Sequence, residues 1–173
     1  MEVIVRPTRA SAVSLTARLI ADRLRAKPDL VLGLATGRTM EDVYALLAES
    51  DVSFAACHTF NLDEYIGLDR TDSNSYAHYM QQHLFEKVDI DPDKTHLPDG
   101  MARDLKAAAR DYEAQITALG GIDTQLLGIG EAGHIGFNEP LSALMSRTRD
   151  KSLTPTTRRQ NAAMFGGDAN AVP

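Results

Sequence analysis

The fold of this chain is decided by one stretch, L-L-G-I-G-E-A-G-H-I-G-F-N-E-P, which spans residues 126–140. An apolar run passes into glycines, and two reactive side chains, His134 and Glu139, follow. A strand that ends in a glycine-rich turn with polar side chains is typical of loops at the carboxyl end of a parallel sheet. A tight turn with a solvated histidine would give the same pattern, because glycine mainly reports backbone geometry.

Two earlier segments show the same strand-then-loop pattern. The run 29–34 is apolar without alternation, as expected of a strand that is buried on both faces, and a helical pattern follows its loop. The shorter run 57–60 ends in the polar loop 61–65. We therefore predict an α/β fold with an open, mainly parallel, twisted sheet and helices on both faces, similar to a Rossmann fold.

The remaining elements follow from periodicity and from breaker residues. We predict further strands at 3–5, 95–97 and 124–129, and helices from Ser11 as the cap, after Thr39, at 76–85, at 103–119 and at 157–165. About four buried strands are few for an open parallel sheet, which predicts one domain over residues 1–173 that lacks its C-terminal part.

Composition narrows the classes of function. The net charge of −6 argues against a nucleic-acid partner, although a small phosphorylated ligand needs only a local group of donors. Cys57 is the only cysteine, so no intrachain disulfide can form, and the sequence shows neither a signal peptide nor a membrane span. These features predict a cytoplasmic protein.

Each of the three loops carries groups suited to one chemical task. The first loop consists of Thr36, Gly37, Arg38 and Thr39. Backbone N–H groups at a helix start, with a guanidinium, suit a phosphate, although the threonines could simply cap the helix. The pair Asp63–Glu64 would be poorly solvated after a buried strand and could remove a proton α to a carbonyl; the alternative is one turn-capping residue and one in water.

His134 and Glu139 could form an acid/base pair in which the carboxylate fixes the imidazole tautomer. The histidines and the single cysteine do not recur at the short spacing of metal ligands, so we predict no metal site.

Four motifs resemble glucosamine-6-phosphate deaminases, in order and spacing across the chain. They are T-G-R-T-M (36–40), F-N-L-D-E-Y-I-G-L (60–68), G-H-I-G-F-N-E-P (133–140) and S-R-T-R (146–149). The resemblance implies an aldose–ketose isomerisation that is coupled to loss of ammonia from an amino-sugar phosphate, without an organic cofactor or a metal.

The resemblance also implies roles for individual residues. Asp63 would move the proton between C2 and C1, His134 would open the sugar ring, and Glu139 would orient His134. The loop 36–39 would bind the phosphate. Further substrate-binding positions would be Glu64, Gly133 and Tyr76, the last in a segment that is a mobile lid in the family.

Three departures from the family pattern stand out. Ala132 replaces an Asp or Asn before the Gly-His pair, and Ala163 lies in 162–164, where the family places a phosphate-binding arginine. Arg38 replaces a glycine or serine, and we hypothesise that it takes over the missing clamp. The family's phosphate-binding lysine would lie beyond Pro173.

The leading interpretation is an amino-sugar-phosphate deaminase/isomerase that acts on glucosamine 6-phosphate. One alternative is a related sugar-phosphate isomerase or ketose-amine phosphate deglycase. The other is a non-catalytic sugar-phosphate-binding protein or an inactive truncated chain. The predicted partner is a small amino-sugar phosphate, with no nucleic acid and no membrane, and formation of a homo-oligomer stays open.

Overall fold

A computed structural model describes residues 2–173, and its centre is a parallel sheet. The strands are β1 (Val31–Leu34), β2 (His58–Asn61), β3 (Thr95–His96) and β4 (Thr124–Gln125). Their order in the sheet is β3-β2-β1-β4, and each neighbouring pair is parallel. All four residues of β1 are buried, which explains why its sequence is continuously apolar. The predicted open, parallel α/β sheet is confirmed.

Helices cover both faces of this sheet. They are α1 (Arg9–Ala26), α2 (Arg38–Ala48), α3 (Tyr76–His83), α4 (Leu105–Ala118) and α5 (Pro155–Asn161). The larger apolar core holds α1, α2 and α3 against Leu32 and Leu34. The opposite face of the sheet carries a smaller core in which Tyr112 of α4 packs against Val31 and Phe60. Successive residues of β1 therefore point into different cores, as the alternation of side chains along a strand requires.

The order of the strands determines where a ligand can bind. From β1 the chain moves through β2 to β3 on one side of the sheet, and α4 then returns it to the other side of β1, where β4 lies. The direction of progress thus reverses between β1 and β4. In open α/β sheets, ligands bind in the crevice beyond the carboxyl ends of the strands at such a reversal. The loops after β1, β2 and β4 all open at this edge.

Two predicted strands differ in the structure. Residues 3–5 form no strand, and Val3 and Val5 are exposed, because within residues 2–173 no strand lies alongside to accept their hydrogen bonds. The strand predicted at 124–129 is limited to β4. The N–H of Leu126 still donates to the carbonyl of Gly33 at 2.8 Å, but the chain then leaves the sheet, and Ile129 is 78% exposed.

The first helix also begins earlier than predicted. Thr8 caps it, and Ser11, the predicted cap, is the third helical residue of a capping box with Thr8. The strand predicted at 95–97 is present at Thr95–His96. The helix predicted at 157–165 begins two residues earlier, at Pro155, and its last part, Ala162–Phe165, is a 3₁₀ turn. No helix within residues 2–173 is long and apolar enough to cross a membrane.

Candidate active site

A cavity of about 560 Å³ lies at the edge where the strand order reverses. Its walls include most of the predicted site residues, namely Thr36, Gly37, Arg38, Thr39, Asp63, Tyr76 and His134. Three of the predicted residues, Glu64, Gly133 and Glu139, are not part of the wall. The loops after β1, β2 and β4 therefore meet in one place, although they are far apart in sequence.

The first wall of the cavity is the start of α2. Gly37 is the N-cap residue, with a φ of 117° that favours glycine, and no side chain caps the helix. The first N–H groups of a helix lack partners inside the helix, and with the helix dipole they attract an anion. The position suits a phosphate group that enters the cavity from solvent.

Two arginines stand at this wall, and sequence reasoning identified only one of them. The side chain of Arg38 is exposed and makes no hydrogen bond or ion pair with other residues of 2–173. Arg9, at the start of α1, forms an ion pair with Asp42 and donates to the carbonyl of Arg38 at 3.3 Å. Arg9 also lines the cavity. Nothing in the local sequence around Arg9 indicates this, because the packing of α1 against α2 brings it there.

The second wall contains Asp63, which is half-buried. The chain of the third loop turns back at 135–138 and lies over this carboxylate. A side chain at Gly136 would begin 3.1 Å from Oδ2 of Asp63, and its φ of 56° also favours glycine. The rings of Phe137 and Tyr76, which also line the cavity, stack with their centroids 5.5 Å apart.

This environment changes the acidity of Asp63. Burial is the main cause that raises the pKa of Asp63 to about 7, and the negative charge of Glu64 adds to it. The backbone N–H of Phe137 donates to the carboxylate and offsets part of this rise. At neutral pH, Asp63 can therefore both accept and return a proton.

Glu64, by contrast, is occupied by the backbone. Its Oε1 accepts the N–H groups of Tyr65 and Tyr76 at 2.8 and 2.9 Å, and its Oε2 accepts that of Ala77 at 2.8 Å. The carboxylate thus holds the start of α3 next to the loop that follows β2, in addition to the cap by Ser75. Contact of Glu64 with a substrate stays a prediction.

Tyr76 is buried in this structure. Only 8% of it is accessible, and its ring contacts those of Tyr65 and Phe137. The hydroxyl of Tyr65 in turn accepts a hydrogen bond from Nδ2 of Asn161 at 2.7 Å, and Asn161 lines the cavity. This aromatic cluster ties α3 and α5 to the wall around Asp63.

The third wall contains His134, whose ring lies against Gly130. A side chain at Gly130 would begin 2.1 Å from Nε2 of His134, so only glycine leaves room for the imidazole. The N–H of Gly130 donates to the carbonyl of His134 at 2.8 Å, which closes the turn that contains Gly133. The glycines of this loop therefore serve the placement of the histidine.

Glu139 reaches His134 only through a third residue. Its Oε1 accepts hydrogen bonds from the hydroxyl of Thr157 at 2.6 Å and from the N–H of Thr154 at 3.0 Å. The same hydroxyl of Thr157 lies 3.3 Å from Nδ1 of His134. Burial opposes ionisation of Glu139, but these hydrogen bonds and the nearby His134 outweigh it and hold the pKa of Glu139 below its ordinary value. Sequence reasoning missed Thr157, which looks like an ordinary residue in the first turn of α5.

No group of three or more His, Cys, Asp or Glu side chains in the described part of the chain comes together as metal ligands would. The cavity combines a helix start that suits an anion, a carboxylate whose pKa is raised and an imidazole. Such a combination can transfer a proton on a small phosphorylated molecule.

Comparison with known proteins gives the class. Residues 7–161 match the family described as glucosamine-6-phosphate isomerases/6-phosphogluconolactonase, and the chain belongs to this family. It is 49% identical over 169 residues to a glucosamine-6-phosphate deaminase of Shewanella loihica, which covers 95% of this chain and 63% of the relative. It is 52% identical over 153 residues to a glucosamine-6-phosphate deaminase of Shouchella clausii, covering 86% of this chain and 62% of the relative.

Solved structures show the same relation. A monomeric glucosamine-6-phosphate deaminase matches with a TM-score of 0.96 and 43% identity, over all of this chain and 73% of that chain. A 6-phosphogluconolactonase from Thermotoga maritima matches with a TM-score of 0.65 and 25% identity, over 76% of this chain and 61% of that one. The chain thus spans a little under two thirds of the length of the two deaminases compared by sequence.

The raised pKa of Asp63 predicts a stability effect that needs no substrate. Between its ordinary pKa of 3.8 and about 7, the folded state holds a proton on Asp63 that the unfolded state has lost, so stability falls as pH rises through this window. Asp63→Asn removes this penalty. We expect the free energy of unfolding of the variant to exceed that of the wild type by about 2 kcal/mol at pH 8 and to equal it near pH 4. The full pKa change would correspond to about 4 kcal/mol, which is the upper limit of the difference.

Urea denaturation at a series of pH values measures this difference. Asp111→Asn, a change at an exposed position on α4, is the matched control and should give a difference close to zero at every pH. A pH-independent difference for Asp63→Asn would contradict the raised pKa.

Proposed function

We propose that this protein is a glucosamine-6-phosphate deaminase, which converts glucosamine 6-phosphate and water into fructose 6-phosphate and ammonia. The observation that carries the proposal is the position of Asp63, whose pKa is raised to about 7, in one cavity with a phosphate-suited helix start and His134. The names of the relatives support the choice of substrate. The cytoplasm is the proposed compartment.

The proposed reaction begins with binding of the phosphate. The start of α2 supplies backbone N–H groups at Gly37–Thr39, and Arg38 supplies a guanidinium whose donors have no other partner within residues 2–173. The sugar then extends from this end of the cavity towards Asp63 and His134, which line the same cavity. Binding of the phosphate fixes which carbon atoms meet these two groups.

Two proton transfers follow in the proposed scheme. The imidazole of His134 moves a proton to and from the ring oxygen, which opens the sugar and exposes a carbonyl at C1. Asp63 then removes the proton from C2 and returns it to C1. A base whose pKa is close to the working pH serves both directions, because it is neither fully protonated nor a weak acceptor. Water replaces the nitrogen at C2, and ammonia leaves.

Ammonia release from glucosamine 6-phosphate tests the proposal, measured across pH. We expect kcat/KM to decline below a pH of about 7, because Asp63 must be ionised to accept the C2 proton. Asp63→Asn should lower kcat by at least about 100-fold, the usual contribution of a general base. Asp111→Asn should behave as the wild type.

The alternative functions give different results in the same experiment. Interconversion of aldose and ketose phosphates without ammonia would indicate a sugar-phosphate isomerase, and a rise in Tm with glucosamine 6-phosphate but no product would indicate a binding protein. Ala163 is exposed and stands where the family resemblance implies a phosphate-binding arginine. This difference is the reason to test the alternative of a binding protein. If glucosamine 6-phosphate gives no ammonia and also leaves Tm unchanged, the proposed substrate is wrong.

The role of Arg38 is a separate prediction. Arg38→Ala should weaken binding of glucosamine 6-phosphate by about tenfold, since a charge-assisted hydrogen bond to phosphate is lost. Calorimetric titration measures the affinity, and Arg110→Ala on the exposed side of α4 is the control. Unchanged affinity would remove Arg38 from the phosphate site, and a loss in Arg9→Ala instead would place the clamp on α1.

A further inference from the structure

The hydroxyl of Thr157 occupies the centre of a buried hydrogen-bond network. Only 1% of Thr157 is accessible. Its Oγ1 lies 2.6 Å from Oε1 of Glu139, 3.3 Å from Nδ1 of His134 and 3.3 Å from the hydroxyl of Thr154. The residue comes from α5, whereas the other two functional groups come from the loop after β4. The hydroxyl therefore joins two elements that are separate in sequence.

The proton count of a hydroxyl determines the direction of these bonds. Threonine can donate one hydrogen and accept two, whereas an ionised carboxylate can only accept. The single hydroxyl proton of Thr157 therefore goes to Glu139, at a distance typical of a charge-assisted bond. Its lone pairs remain for the hydroxyl of Thr154, which donates to it, and for Nδ1 of His134.

This arrangement decides the tautomer of the imidazole. Because Thr157 has no second proton to give, Nδ1 of His134 must be the donor, and a neutral imidazole with a proton on Nδ1 has none on Nε2. Nε2 is then the lone-pair nitrogen, and it lies on the side of the ring that faces Gly130, a residue of the cavity wall. Nε2 makes no hydrogen bond within residues 2–173.

We propose that Thr157 is a positioning residue that transmits the charge of Glu139 to His134 and holds the imidazole as the Nδ1–H tautomer, with its Nε2 lone pair available to the substrate. The catalytic part of this inference rests on the proposed function, whereas the tautomer is a property of the protein without substrate. Glu139 acts on His134 through the hydroxyl rather than by direct contact.

The network also accounts for Ala132. An alanine next to Gly133 and His134 has no side-chain group that could hydrogen-bond to the imidazole. The acceptor for Nδ1 comes instead from Thr157 on α5. The position of α5 therefore affects how the imidazole is held.

The direct test is the ¹⁵N NMR spectrum of histidine-labelled protein, at a pH where the imidazole is neutral. The signals of His134 are assigned by their loss in His134→Gln. In the wild type we expect a pyrrole-like Nδ1 and a pyridine-like Nε2. In Thr157→Val, which keeps the shape of the side chain, Nδ1 loses its acceptor, and the populations should move towards the Nε2–H form that prevails in unconstrained histidine.

Two further variants separate positioning from simple packing. Thr157→Ser retains the hydroxyl and should retain the Nδ1–H form, and Thr156→Val, a neighbouring threonine that does not contact His134, should leave it unchanged. An Nε2–H form in the wild type, or an unchanged tautomer in Thr157→Val, would overturn the proposal.

Activity provides a second readout on the same proteins. We expect kcat of ammonia release to fall by about ten- to hundredfold in Thr157→Val, the equivalent of one charge-assisted hydrogen bond, with KM little changed and with recovery in Thr157→Ser. Equal loss in the serine variant would count against the relay. Absence of ammonia release in the wild type would contradict the proposed function alone, because the NMR result still decides the role of Thr157.

Discussion

The site depends on one physical constraint, the enclosure of the Asp63 carboxylate at the end of a buried strand. β2 carries the chain into the edge of the sheet, and the turn 135–138 of a distant loop lies over the carboxylate. Gly136 permits this approach, because a side chain there would press on Oδ2 of Asp63. The removal of water raises the pKa of Asp63 towards neutrality, and this property makes a carboxylate useful for moving a proton to and from carbon.

The surrounding elements hold this arrangement in place. Glu64 uses its carboxylate to hold the start of α3, which brings the ring of Tyr76 to the wall of the cavity. On the other side, Thr157 of α5 connects Glu139 with His134. Glu64 and Glu139 are not in the cavity wall, but each is linked by hydrogen bonds to a residue that is: Glu64 to Tyr76 through the backbone, and Glu139 to His134 through the hydroxyl of Thr157.

Periodicity and loop chemistry predicted the parallel sheet, its two-sided cover of helices and the meeting of three loops at one edge, because these follow from local patterns and from the rules of parallel sheets. Contacts between distant segments could not be predicted from the sequence. Thr157 and Arg9 reach the site through packing of α5 and α1, and no local pattern marks them. The exposed residues 3–5 show a related limit, since a β-branched run becomes a strand only where a neighbouring strand can pair with it.

The pKa of Asp63 can be measured by titration of its carboxyl carbon with ¹³C NMR. Asp63→Asn identifies the signal. We expect a midpoint of about 7 in the protein without substrate, far above the ordinary value of 3.8. A midpoint near 4 would contradict it, because the carboxylate would then be solvated rather than enclosed by the turn 135–138.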